Sequence, residues 1–232
     1  MFPLDRLPLV ERYVEWLAGA GIERGLIGPR EVPRLWERHV LNSAVVGEWV
    51  PTAVRVADIG SGAGLPGLVL ALARPDLDVT LVEPLLRRAR FLEEVVADLG
   101  LPVRVLRARA EELHGVESFE VVTSRAVAPL DRLAAWCMPL VVTGGAMVAL
   151  KGASVVDEVE EHRADLRRRG TAAPEVRALG AEVLESPTWA VRVSWAEEAR
   201  VSWRLAPDAG PRGQRAQRRA GKRQSGRGRG TR

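Results

Sequence analysis

The sequence predicts an α/β protein: a mostly parallel sheet with an antiparallel edge strand, preceded by an N-terminal helical cap. Three observations predict it. Short apolar strand-like runs alternate with helical ones from Val54 onward, the pattern of a sheet covered on both faces. The joint VRVADIGSGAGLPG, residues 54–67, runs from strand through a glycine-rich turn into a helix, as a nucleotide-binding βαβ unit opens. The chain before Val54 carries only helical periodicity. The divisions expected are therefore a cap over residues 1–53, a sheet domain over 54–206, and a basic tail over 207–232.

In order, Leu7, Val10, Val14 and Leu17 recur at helical spacing, and Gly19-Ala20-Gly21 ends that helix. A loop leads to a second helix from Arg34 to Val46, with Pro33 near its start. His39 and Ser43 stand four apart there and share a face, with Asn42 beside them. A first strand over Val54–Ala57 ends at Asp58, and LVLALA (68–73) reads as a buried helix. DVTLVEP gives a second strand ending at Glu83, and LLRRARFLEEVVADLG a helix. Arg87, Arg88 and Arg90 stand near its start, the unfavourable end for cations beside a helix dipole. That suits phosphate contacts, and equally a solvated face. PVRVLRA is strand three, leading into Arg109-Ala110-Glu111, and FEVVTSRA is strand four, closing on Ser124-Arg125. PLDRLAAWCMPLV is helical, Gly144-Gly145 turns into strand five, AMVALKG, and Lys151 stands at its end. A charged helix, VVDEVEEHRADLRRRG, precedes a closing strand pair, EVRALGAEVL and TWAVRVSW, then an extension to Pro207.

The glycine turn decides the cofactor class. Gly62, Gly64 and Gly67 match the dinucleotide spacing, but Asp58 stands two residues before Gly60. A carboxylate there repels a pyrophosphate at close range, and Pro66 removes an N–H that a phosphate would use. S-adenosylmethionine carries an ammonium and a sulfonium and no phosphate, so an acid before the turn suits it. Glu83 lies at the end of strand two, where an acid binds both hydroxyls of a ribose. Arg125, at the end of strand four, sits at the edge where ligands bind, and serves a ligand carboxylate, an RNA phosphate or a surface ion pair.

Composition narrows the setting. No apolar run approaches the ~20 residues of a membrane span, and the acids Asp5 and Glu11 exclude a secretory signal at the N-terminus. One cysteine, Cys137, fits a reducing cytosol and, in an apolar helix, reads as packing. Residues 211–232 hold nine Lys and Arg and no acid; without them the 34 basic residues fall to 25, against 30 acidic ones. The body is thus net acidic and the tail carries the excess. It cannot pack a core and reads as a disordered arm drawn to nucleic-acid phosphates, or simply as solvated chain.

In their expected order, RLWERHVLNSAVV, DIGSGAGLPGLVLALARP, LVEPLLRRARFLEEV, RAEEL, VTSRAVAPL and ALKG resemble one family. It is the bacterial methyltransferase of small-subunit (16S) ribosomal RNA acting on guanine nitrogen 7, also called glucose-inhibited division protein B. GLIGPREVPRLWERH resembles its actinobacterial branch. The resemblance covers Val10 to Trp195 and implies a Rossmann-like, class I S-adenosylmethionine-dependent methyltransferase fold. It implies cofactor contacts at Gly60, Leu65, Ala110, Glu111 and Arg125, with Ala110 and Glu111 against the adenine; Asp58, Gly62, Gly64 and Glu83 join them from the reading of the turn and the strand end. His39, Asn42, Ser43 and Lys151 become substrate-side candidates; many relatives carry Asp where this chain has Asn42. The implied partner is 16S ribosomal RNA or the small subunit, met in the cytoplasm by a monomer, with no metal. Guanine nitrogen 7 already presents a lone pair, so alignment replaces a general base. Two other readings remain at this point: a non-catalytic RNA-binding assembly factor on the same fold, and an NAD-linked oxidoreductase.

Overall fold

The computed structural model describes residues 1–125 and 128–196. Parallel strands β1 (Arg55–Ile59), β2 (Asp78–Val82), β3 (Arg104–Leu106), β4 (Phe119–Arg125) and β5 (Val141–Lys151) form one sheet with β6 (Glu175–Leu179) and β7 (Thr188–Ser194). Its order is β3-β2-β1-β4-β5-β7-β6, with β7 antiparallel to both β5 and β6. The predicted fold class is the observed one. Strand order reverses at β1, which lies between β2 and β4, and in open parallel sheets this opens a crevice at the strands' carboxyl ends.

Apolar residues on both faces explain why β1, β2 and β4 are central. Val56, Ala57, Val79, Leu81 and Val122 are all fully buried. Helix α1 (Leu7–Ala18) turns Val10, Tyr13 and Leu17 inward, and they join one hydrophobic core with Leu65, Leu68, Phe91 and Leu92. Trp16 meets Phe91 edge-on with ring centroids 5.9 Å apart. The other α-helices longer than four residues are α2 (Gly67–Ala73), α3 (Leu86–Leu99), α4 (Leu130–Cys137) and α5 (Val155–Arg168), among the described residues. Cys137 is buried in α4, and burial raises its thiol pKa.

Three expectations shift. Strand β1 runs to Ile59, so Asp58 lies inside the strand rather than at its end. The expected helix from Arg34 to Val46 is a composite: a 3-10 stretch over Pro29–Arg34, a π-helical segment over Leu35–Leu41, one α turn over Asn42–Ala44 and a 3-10 turn over Val45–Trp49. Gly144 and Gly145 do not precede β5 but lie within it, as a bulge: Phe119 pairs with Val141 and Val121 already with Ala146. A Cβ on Gly145 would collide with the carbonyl oxygen of Glu120, so only glycine lets the extra residues fold out there. The tail over 207–232 and the extension beyond Ala196 lie outside the described residues.

Candidate cofactor and substrate site

The crevice is present as a cleft of about 700 Å³, lined among others by Gly60, Gly62, Leu65, Glu83, Arg125 and His39. Its floor is the glycine turn, where Gly60, Gly62 and Gly64 adopt φ of 72°, 58° and 101°. Most of the backbone N–H groups of this turn are used internally. Gly60 and Ser61 donate to the Val82 carbonyl at 2.9 and 3.2 Å, and Gly64 and Leu65 to the Ser61 carbonyl at 2.7 and 3.1 Å. Gly62 donates to Glu83 Oε2 at 3.0 Å and Gly67 to Asp58 Oδ2 at 3.0 Å. Pro66, joined to Leu65 by a cis peptide bond, has no N–H to offer. A pyrophosphate needs such donors at a helix N-terminus. Here Asp58 takes the Gly67 amide at the helix start and Glu83 the Gly62 amide in the turn, so the turn suits a nucleoside without phosphates.

Glu83, 2 % exposed, sits at the end of β2 because β2 points its chain into the cleft. Its two oxygens accept from Gly62 and Leu85 N–H, both at 3.0 Å. That fixes the carboxylate and leaves each oxygen a further lone pair for a diol. Ala110 and Glu111 line an adjoining cavity of about 150 Å³, which shares Gly60, Pro84 and Arg109 with the main cleft. A planar base entering beside Val82, Ile59 and Ala110 would lie against apolar walls.

Asp58 is elsewhere than a ligand contact requires. It is fully buried, lines neither cavity, and holds the start of α2 through Gly67. Burial pushes its carboxyl up to about 7, while the Gly67 hydrogen bond and Arg125 pull it back. Its Oδ1 has no hydrogen-bond partner among the described residues. Asp58 therefore supplies a buried acceptor and negative potential beneath the turn.

On the opposite wall, Arg125 at the end of β4 reaches the helical segment. Its Nη2 donates to His39 Nδ1 at 2.6 Å and its Nη1 to Ser43 Oγ at 3.4 Å. His39 Nε2 faces Glu31 Oε2 at 3.0 Å. With Nδ1 accepting from a guanidinium, the proton belongs on Nε2, which donates to Glu31. Burial lowers the His39 pKa, and the charge of Arg125 lowers it further. Burial lowers that of Arg125 too, and the charges of Asp58 and Glu31 offset it only in part.

Of the substrate-side candidates, His39 and Ser43 are thus brought together on Arg125, while Asn42 is half-buried beside them. Lys151 is not. It is 10 % exposed, donates to the Ala128 carbonyl at 2.9 Å and to Glu158 Oε1 at 2.8 Å, and lines neither cavity. Glu158 also accepts from Leu130 N at 2.6 Å, so Lys151 ties α4 and α5 to the sheet. Sequence reasoning missed Tyr13 and Glu31. Tyr13, fully buried, donates from its hydroxyl to the Ala63 carbonyl at 2.9 Å, pinning the turn to α1. In the sequence it falls in an ordinary apolar helical repeat. Glu31 was visible only as an acid near a proline. Among the described residues no group of acids, histidines and cysteines could hold a metal.

The fold and this phosphate-free cleft define the class of the S-adenosylmethionine-dependent methyltransferases. Solved relatives of low identity share the fold. One is a SAM-dependent O-methyltransferase from Thermotoga maritima (TM-score 0.52, 16 % identity, 76 % of this chain and 72 % of that one). The chain belongs to the family described as "GidB: rRNA small subunit methyltransferase G", which it matches over residues 6–185. A Nocardioides protein named ribosomal RNA small subunit methyltransferase G is 62 % identical over 222 residues, 95 % of this chain and 88 % of its own. Proteins of the same name from Salinispora tropica (58 %, 82 % of each chain) and Mycobacterium marinum (57 %, 80 % and 83 %) follow.

Proposed function

We propose that this chain transfers a methyl group from S-adenosylmethionine to nitrogen 7 of a guanine in 16S ribosomal RNA, acting as a monomer in the cytoplasm. Family membership supports the substrate. The single structural observation that carries the cofactor is the glycine turn, most of whose amides are engaged by Asp58, Glu83 and neighbouring carbonyls. That arrangement disfavours the NAD reading. Among the described residues no helix is long and apolar enough to cross a membrane.

The residues fit the methyl donor. Glu83 would hold the ribose hydroxyls, Ala110 and Glu111 would flank the adenine, and Gly60, Gly62, Gly64 and Leu65 would shape the floor. Arg125 would take the donor's carboxylate, with Asp58 favouring its positive charges from below. When bound, the cofactor supplies a methyl on a sulfonium, an electrophile that needs no metal assistance. The chain's own task is to hold guanine nitrogen 7 in line with that methyl. No proton has to leave nitrogen 7, so no residue must act as a base, and positioning supplies the rate. His39, Asn42 and Ser43 stand where a substrate base would meet the wall formed with Arg125, and we assign them to positioning.

A direct test is titration of the purified chain with S-adenosylmethionine and with NAD. Binding of the first alone is expected; binding of NAD at comparable affinity would overturn the cofactor assignment.

A further inference from the structure

Several of the described arginines at the amino edge of the sheet and on its outer helices are matched by carboxylates. Arg55, at the start of β1, pairs with Glu120 at 2.9 Å, and Arg104, at the start of β3, with Glu117 at 2.8 Å. Arg12 pairs with Asp98, Arg24 with Glu94, Arg74 with Asp76 and Arg163 with Glu160. Around the cleft at the carboxyl edge, where Arg38 pairs with Glu31 at 3.6 Å, five others lack such a match. Among the described residues Arg30, Arg87, Arg88, Arg107 and Arg109 make no salt bridge and no side-chain hydrogen bond to a carboxylate, and the Nε of Arg88 is buried without any partner.

Two of these five line the opening, and the other three adjoin its lining residues. Arg88 and Arg109 line the cleft. Arg87 lies 3.9 Å from the Cβ position of Gly25, next to the lining residue Leu26. Arg30 stands between the lining residues Gly28 and Glu31, and Arg107 precedes Ala108, which lines the adjoining cavity. The body has more acids than bases, so carboxylates are not scarce. Three of those near the rim are engaged otherwise: Glu83 by two amides, Glu31 by His39 with Arg38 at 3.6 Å, and Glu112 by the Arg109 amide; Glu111, lining the adjoining cavity, stands in the same rim. Like charges gathered without counter-charges repel one another, and a polyanion relieves that repulsion.

We propose that this ring of arginines is the face that grips the phosphate backbone of the substrate RNA around the target guanine, leaving the cleft to the base and the cofactor. It rests on the methyltransferase reading above and specifies where its substrate lies. The ring is sequence-independent, since phosphate contacts position while base contacts specify. Arg30 comes from the N-terminal helical segment, Arg87 and Arg88 from α3, and Arg107 and Arg109 from the stretch after β3. The strand would therefore cross the cleft mouth.

The test uses the full chain with Arg30, Arg87 and Arg107 changed to Gln, none of which lines the cleft. Against a small-subunit RNA fragment, the slope of log affinity on log salt should become shallower by about two, given roughly 0.7–0.9 per phosphate contact. S-adenosylmethionine affinity should stay as in the parent. Arg163→Gln, which breaks an outer pair, should leave the slope unchanged. Should the triple variant fold poorly, Arg87→Gln and Arg107→Gln singly should each lower the slope by about one contact. Unchanged slopes in these variants would overturn the proposal. RNA that depends on the ring for binding yet receives no methyl would instead sink the proposed reaction and leave the ring standing.

Discussion

Arg125 at the end of β4 donates to His39 Nδ1 at 2.6 Å, and His39 in turn faces Glu31 at 3.0 Å through Nε2. This relay fixes one tautomer of a neutral histidine and joins the helical segment to the sheet exactly where the cleft has its second wall. A protonated His39 has no acceptor to offer and would oppose the guanidinium as a second cation. Its pKa is lowered from 6.5 in the folded chain. The neutral ring is thus favoured by folding, and its contribution is present at higher pH and lost as pH falls below 6.5 through the lowered value. Glu31, Arg38 and Arg125 are the charged groups that bear on it. Methyl transfer should therefore show an acid limb, although the chemistry needs no base. His39→Gln, which can accept and donate on the same two partners, should flatten that limb. His39→Ala should lower kcat by roughly a hundredfold, the scale of a misplaced reactant. A His39→Gln profile that keeps the parent's acid limb would place the titrating group elsewhere.

Glu83→Ala should weaken S-adenosylmethionine binding by about 1–3 kcal/mol, the scale of a lost charge-assisted hydrogen bond. It also leaves the Gly62 and Leu85 amides without their acceptor, so thermal stability should fall. Glu83→Gln turns an NH2 toward one of those donors and should be almost as harmful. Calorimetry showing parental affinity in Glu83→Ala would remove this residue from the site.

Asp58 makes the second pH dependence. Its folded pKa is raised from 3.8 to about 7. Between those values the folded chain holds a proton that the unfolded chain lacks, so this group favours folding at acid pH. That advantage disappears as pH rises through about 7. A cationic ligand prefers the ionised form, so S-adenosylmethionine affinity should rise from pH 6 to pH 8. In Asp58→Asn the rise should be absent. Affinity equal at both pH values in the parent would mean that Asp58 does not sense the ligand.

Gly67→Ala probes the packing beneath the turn. A Cβ there would stand 2.7 Å from the Asp58 Cβ, a contact the backbone cannot absorb without moving the α2 start. A loss of at least ~1–3 kcal/mol is expected from such overpacking, read as a fall in Tm. An unshifted Tm would show that α2 relaxes freely.

Much of the fold was legible in the sequence because parallel strands buried on both faces are mostly apolar, and glycines mark the turn that floors the cleft. Glu83 was legible for the same reason: strand ends are countable. The bulge at Gly144 and Gly145 was not, since a diglycine reads the same in a turn and in a strand. Asp58 was placed correctly in the chain but one pleat too far out; whether a strand-end acid faces the cleft or the core depends on where the strand stops. Lys151 illustrates the limit of end-of-strand reasoning. Its partner Glu158 lies on the next helix, and the spacing between strand end and helix does not disclose the pairing. The Glu31–His39–Arg125 relay joins residues distant in sequence, and no local pattern encodes it.

The central claim is methyl transfer to guanine nitrogen 7, and one measurement tests it most directly. Small ribosomal subunits from cells deleted for this chain would be incubated with the purified protein and S-adenosylmethionine labelled in its methyl group. The RNA would then be digested to nucleosides for mass spectrometry. The account predicts label in 7-methylguanosine from 16S RNA, abolished by Glu83→Ala at limiting cofactor. Label confined to another nucleoside, or none at all from a protein that binds the cofactor, would contradict it.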